Sequence, residues 1–136
     1  MKITTTQWLD FAKADLLTCE SIINNNLLTN IVAFHAQQAV EKCFKAISEE
    51  NGLNLPRTHD LTRLFSKLAD NISFDIDLTL LQELDTVYTS SRYPSDLGLM
   101  PDGTPSKEIA EQFYEFANNI YNKAIKMLDN SVANIR

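Results

Sequence analysis

A chain of 136 residues, 44% hydrophobic and with only three glycines, is sized for one domain with a substantial core, and this composition excludes disorder and argues against a β-rich fold. Its net charge of −6 repels phosphate backbones, which excludes tight non-specific binding along nucleic acid and makes any phosphate recognition local. The charge is uneven: residues 68–120 hold ten acids against two bases, whereas 35–67 hold five bases against four acids.

Apolar residues recur at three- and four-residue steps nearly throughout, the period of amphipathic helices. A first helix is expected over about 6–24, burying Trp8, Phe11, Ala12, Leu16, Cys19, Ile22 and Ile23. The asparagines of "NNNLLTN" end it, and Thr29 or Asn30 caps a second helix that runs to Glu50. Asn51-Gly52 supplies the left-handed stop. Pro56 breaks the next stretch, "LNLPRTHDL". Thr58 then caps a third helix over 59–70, with Leu61, Leu64, Phe65 and Leu68 inward. A fourth helix is expected from 75 or 77 to about 91, burying Ile76, Leu80, Leu81, Leu84, Val87 and Tyr88. "RYPSDLGLMPDGTP" is the longest irregular stretch. Thr104 as cap and Pro105 at the first helical position open a fifth helix, through Ile109, Phe113, Phe116, Ala117, Ile120, Ala124 and Met127 to about 130, with a frayed tail.

No repeat or interdomain linker interrupts this pattern, so residues 1–136 are predicted to form one all-α domain, with its core within about 6–130. The expected architecture is an antiparallel up-and-down bundle of about five helices. No apolar run approaches the roughly 20 residues of a membrane span. "MKITTTQWLDFAKADL" lacks the apolar core of a secretion signal, and the expected location is the cytoplasm. Cys19 and Cys43 fall in apolar helical patterns and have no zinc spacing, so they are expected to be buried thiols; no metal and no cofactor is implied. The histidines His35 and His59 follow Val32 and Pro56 at the third position back, which rules out the Glu-x-x-His pattern of di-iron bundles.

The stretch "FHAQQAVEKCFK" at 34–45 draws the functional question. On a helical projection with Ala39 at zero, His35 falls at about −40°, Lys42 at about −60° and Gln38 at about −100°, a single flank beside the apolar stripe. Gln37, Glu41 and Lys45 fall on the opposite side, expected to be wet. An imidazole, a carboxamide and an ammonium within two turns can hold a phosphate or a base edge. They can equally be the damp border of a core, with the lysine methylenes laid over apolar neighbours and Asp15 of the first helix as salt-bridge partner. His59, beside Asp60 at a helix start, reads as structural, and Trp8 as core or dimer contact.

"FHAQQAVEKCFKAI", followed by "HDLTRLF" and later by "SSRYP", and preceded by "WLDFAKADLLTCESII", resembles the HEPN (higher eukaryotes and prokaryotes nucleotide-binding) domain family over nearly the whole chain. The resemblance implies an up-and-down helical bundle that forms a homodimer and pairs with a minimal nucleotidyltransferase in a toxin–antitoxin system. Active toxins of the family are metal-independent ribonucleases with an arginine followed, after four to six residues, by a histidine. Arg92 matches the arginine, but positions 97 to 99 are Leu97, Gly98 and Leu99. Cleavage of RNA through its own 2′-hydroxyl needs a proton-transfer group near neutral pKa and a cation for the developing phosphorane charge. Arg92 could supply the cation; Asp96 is a poor substitute for the imidazole.

The expected function is therefore a non-catalytic nucleotide- or RNA-binding module, with His35, Gln38, Lys42, Arg92 and Tyr93 as binding residues and no catalytic residue other than Arg92 if ribonuclease activity remains. The alternatives are a ribonuclease toxin with an altered site, and a structural or adaptor bundle.

Overall fold

The structure is a computed structural model; it describes the backbone of residues 1–92 and 104–135, and the side chains of 1–87 and 104–129. Among the described residues there are five α-helices and no strand: α1 (Ile3–Ile22), α2 (Thr29–Glu50), α3 (Leu61–Leu68), α4 (Leu78–Arg92) and α5 (Lys107–Ile135). None of them is long and apolar enough to cross a membrane.

Helix α2 is the axis of the bundle and touches all four others. Its buried residues include Val32, Ala33, Ala36, Ala39, Val40, Cys43, Phe44, Ala46 and Ile47, and also the polar Gln37, Glu41 and Ser48. Four alanines and a cysteine on the core side keep its surface thin, so neighbours can approach closely. Part of the face expected to be wet is covered, which corrects the placement of Gln37 and Glu41 in water, while Lys45 stays a third exposed: the Gln37 and Glu41 side chains lie beneath the 55–60 linker and the start of α3.

Helix α1 runs antiparallel to α2. At one end the Thr4 and Thr5 hydroxyls donate to Glu49 and Glu50 at 3.1 and 3.0 Å, and at the other the Cys19 thiol reaches the Val32 carbonyl. These bonds, with the Lys2 amide on Glu50 at 2.9 Å, draw the threonine-rich first turn into helix three residues earlier than the sequence pattern suggests. The register buries Leu9, Ala12, Leu16 and Cys19, and leaves Phe11 57% exposed, packed edge-on against Trp8, where burial is expected from spacing alone. Trp8 is half-buried and packs against the core.

The caps differ from expectation at three places. Neither Thr29 nor Asn30 caps α2, whose N-cap residue Leu28 makes no side-chain bond; Asn25 instead caps the short 3₁₀ turn that leads into it, accepting from the Leu27 amide. Asp60, not Thr58, caps α3 by accepting from the Arg63 amide; the Thr58 hydroxyl accepts instead from the Asp60 amide. Ser106, not Thr104, caps α5 by accepting from the Ile109 amide, so Pro105 lies before the helix, buried. In each case the cap is the residue whose oxygen reaches the amide two or three residues on, and short polar side chains compete for that place. The stop after α2 is as expected: Gly52 has φ +66°. Helix α5 continues to Ile135, past the expected end at about 130.

Helices α3, α4 and α5 close the core with Leu61, Leu64, Leu68, Leu81, Leu84, Val87, Phe113, Phe116, Ile120 and Leu128. Phe44 meets Phe65 edge-on, with centroids 6.2 Å apart. Asp85 of α4 accepts from the Leu61 and Thr62 amides at 3.0 and 3.1 Å, so α3 is held at its start from across the bundle as well as by Asp60.

Candidate functional site

Two carboxylates, one on each flank of α2, organise its polar residues in the same way. On the first flank Asp15, 9% exposed, accepts from His35 Nδ1 at 2.8 Å on one oxygen and from Lys42 Nζ at 2.7 Å on the other. On the second flank Glu41, 2% exposed, accepts from His59 Nδ1 at 2.8 Å and from Lys45 Nζ at 3.2 Å. Each is a carboxylate, an imidazole and an ammonium in contact. Because a carboxylate only accepts, the proton of each ring sits on Nδ1, and Nε2 is left for whatever approaches from outside.

The first flank brings His35 and Lys42 together, on the partner expected for the lysine. Gln38 leaves them. Its amide donates to the Gln37 carbonyl oxygen at 2.8 Å, and Gln37 donates to the His59 backbone carbonyl at 2.7 Å, so Gln38 belongs to the second flank's network. The physical reason is the burial of Gln37: a carboxamide with no access to water takes every partner within reach, including its neighbour. Arg92 is the last residue of α4, with its side chain outside the described residues, and Tyr93 lies outside them altogether.

The second flank is a site that the sequence reading missed. Pro56 and the capped start of α3 fix the linker, the Ser48 hydroxyl ties down the Leu53 carbonyl at 2.8 Å, and Gln37 and Glu41 hold His59 by backbone and ring. Lys45 lies between Glu41 and the face of Trp8, 5.0 Å from the ring centroid. A hollow of about 300 Å³ remains against this linker, lined by Lys45, Leu55, Pro56, Arg57, Thr58 and His59. The sequence signal was "PRTHD", a basic residue and a histidine around a proline-fixed turn.

A hollow at the other end of the core has another character. It measures about 640 Å³, lies between the approach to α4 and the middle of α5, and carries Asp75, Asp77 and Glu115 against Lys123 over an apolar floor. Its surplus of carboxylates disfavours anions.

Cys19 and Cys43 are buried free thiols, as expected. Burial first, and then the Asp15 charge, pushes Cys19 up to about 12 and raises Cys43 as well, so neither is a nucleophile at neutral pH. Among the described residues no cluster of histidine, cysteine and carboxylates has the makings of a metal site.

Residues 5–128 match the HEPN domain family. The crystal structure of an archaeal HEPN homologue superposes with a TM-score of 0.68 at 23% identity, covering 94% of this chain and 99% of that one. At that identity the likeness carries the fold and not the chemistry. No curated protein matches the chain. A match across all but the ends of the sequence, on a helical bundle shared with a solved homologue, identifies this chain as a member of the HEPN domain family.

Proposed function

We propose that this HEPN protein is a non-catalytic module that binds a nucleotide or RNA, as a homodimer and together with a minimal nucleotidyltransferase in a toxin–antitoxin pair. The observation that carries the reading is the Asp15 trio. A nearly buried carboxylate spends itself on orienting an imidazole and an ammonium, each about a quarter exposed, so that His35 Nε2 and the remaining Lys42 protons face outward. Such a pair, fixed in advance, binds a phosphate oxygen or base edge with little side-chain entropy left to lose. Arg92 and Tyr93 complete the proposed binding set, from which the tie of Gln38 to Gln37 removes it, and an acidic remainder of the surface keeps the contact local.

The absence of a histidine at 97–99 weighs against catalysis. The ribonuclease reading keeps one supporting feature: two imidazoles already held through Nδ1 by carboxylates, the posture of a general base. Isothermal titration of the full chain with adenosine nucleotides and with short single-stranded RNA tests the first reading. Lys42→Ala and Arg92→Ala should each weaken the interaction about tenfold, and unchanged affinity in both variants refutes it. Growth arrest on expression of the protein alone, abolished by Arg92→Ala, would favour the ribonuclease instead.

A further inference from the structure

The linker hollow on the second flank gathers basic side chains around a fixed turn. Lys45, Arg57 and His59 line it, and the carboxylate beside them, Glu41, has one oxygen committed to His59 and the other to Lys45. Arg57 is exposed and makes no ion pair or hydrogen bond among the described residues. The Thr58 hydroxyl accepts from the Asp60 amide, which leaves its own proton free to donate. Leu55 and Pro56 supply an apolar wall beside these donors.

Two fully or almost fully buried polar side chains hold this arrangement. Gln37 has no exposure and clamps the His59 carbonyl; Glu41, 2% exposed, fixes the His59 ring and the Lys45 ammonium. Burying a carboxamide and a carboxylate is costly unless each is fully partnered, and an apolar pair of the same size would pack the linker with less penalty. A helix–linker contact needs no such device. A set of donors that must stand at fixed distances around a ligand does.

We propose that the hollow bounded by Lys45, Arg57, Thr58 and His59 is a binding site for a phosphate monoester. The Arg57 guanidinium grips two phosphate oxygens in fork geometry, the Thr58 hydroxyl donates to the third, and His59 Nε2, with the ring proton held on Nδ1, accepts from a hydroxyl of the ligand. Leu55 and Pro56 face the esterified carbon skeleton. A terminal phosphate suits the site better than an internal diester, because a monoester at neutral pH approaches two negative charges and offers three free oxygens. The site lies on the opposite flank of α2 from His35 and Lys42 and does not depend on the function proposed above.

The test is an amide NMR titration of the full chain at fixed ionic strength, with inorganic phosphate, adenosine 5′-monophosphate and adenosine. The two phosphates should shift the amides of residues 55–60 with saturation, and adenosine should leave them in place. Arg57→Gln should weaken adenosine 5′-monophosphate at least tenfold and Arg57→Lys less, while Arg63→Gln, an exposed arginine outside the hollow, stays within about twofold of wild type. A trinucleotide with and without a 5′-phosphate separates the sources. Binding of the phosphorylated strand as well as the mononucleotide assigns strand ends, and binding of the mononucleotide alone assigns free nucleotides. Adenosine binding as tightly as its monophosphate, shifts that never saturate, equal loss in Arg57→Gln and Arg63→Gln, or shifts confined to His35 and Lys42 would each overturn the assignment.

Discussion

Removing the Asp15 carboxylate asks whether the first flank is a preorganised ridge or an ordinary surface pair. In Asp15→Ala, Lys42 Nζ and His35 Nδ1 lose acceptors at 2.7 and 2.8 Å and gain none. Breaking a fully buried pair from one side costs about 3–5 kcal/mol, because the remaining charge is left desolvated. Here the acid is 9% exposed but its partners are 23% and 26% exposed, so water recovers part of their solvation. The working figure is then about 2–3 kcal/mol, below the buried limit and well above the roughly 0–1 kcal/mol of an exposed pair. In urea, with a slope of about 2 kcal/mol/M for a small domain, the unfolding midpoint should fall by about 1 M. Asp15→Asn, which keeps the shape and one acceptor, should lose less. A double-mutant cycle with Lys42→Met should show a coupling of about 1 kcal/mol or more, since the methionine removes the charge that the alanine variant strands. A loss under about 0.5 kcal/mol in Asp15→Ala, with no coupling to Lys42, would mean that the trio is a solvated surface contact, and the argument from preorganisation would fail with it.

Two further outcomes follow from burial elsewhere. Desolvation first, and then the neighbouring Asp60 carboxyl, raises Asp85 to about 6, although the Leu61 and Thr62 amides act the other way. A carboxyl whose folded value lies above its ordinary one favours folding when protonated, so its contribution is complete below about pH 4 and is lost as pH rises through about 6. After discounting for partial solvation this amounts to about 1–2 kcal/mol, and Asp85→Asn should flatten the pH dependence of the urea midpoint between about pH 4 and 6.5; an unchanged profile contradicts the assignment. Cys19 and Cys43 should resist alkylation by iodoacetamide at pH 8 in the native protein and react at a rate set by opening of the bundle. Rapid labelling of either thiol at native amide-protection levels would show that the core around α2 opens locally.

Helix content and the main core positions were legible because Leu61, Leu64, Leu68, Leu81 and Leu84 repeat at the helical period, and Gly52 marks a stop that few other residues can make. Caps were harder: Thr58 and Asp60, or Thr104 and Ser106, are chemically similar candidates two residues apart, and the choice is made by backbone geometry that sequence does not carry. The deeper miss concerned α2. Its pattern has an apolar stripe and a polar remainder, which reads as one wet face, yet the 55–60 linker covers part of that remainder. Asp15 could be named as a partner for Lys42 because both lie on helices of predictable phase. Glu41 could not be matched to His59, because the histidine sits on a linker whose path no periodicity describes.

That difference bears on where a ligand goes. Both flanks of α2 repeat the same three groups, so geometry alone does not separate them. Charge does: with neutral imidazoles, Asp15 cancels Lys42 and Glu41 cancels Lys45, and what remains over on the second flank is Arg57. On the first flank any surplus must come from elsewhere in the fold, and Arg92 at the end of α4 is the residue proposed to bring it. A balanced pair orients donors but attracts no anion from solution, whereas a balanced pair with an added guanidinium does both. The decisive comparison is therefore between the two arginines. If Arg57→Gln removes phosphate binding while Arg92→Ala spares it, the second flank is the anion site and the first flank is scaffold; the reverse result makes α4 the source of function and leaves the linker as a well-tied turn.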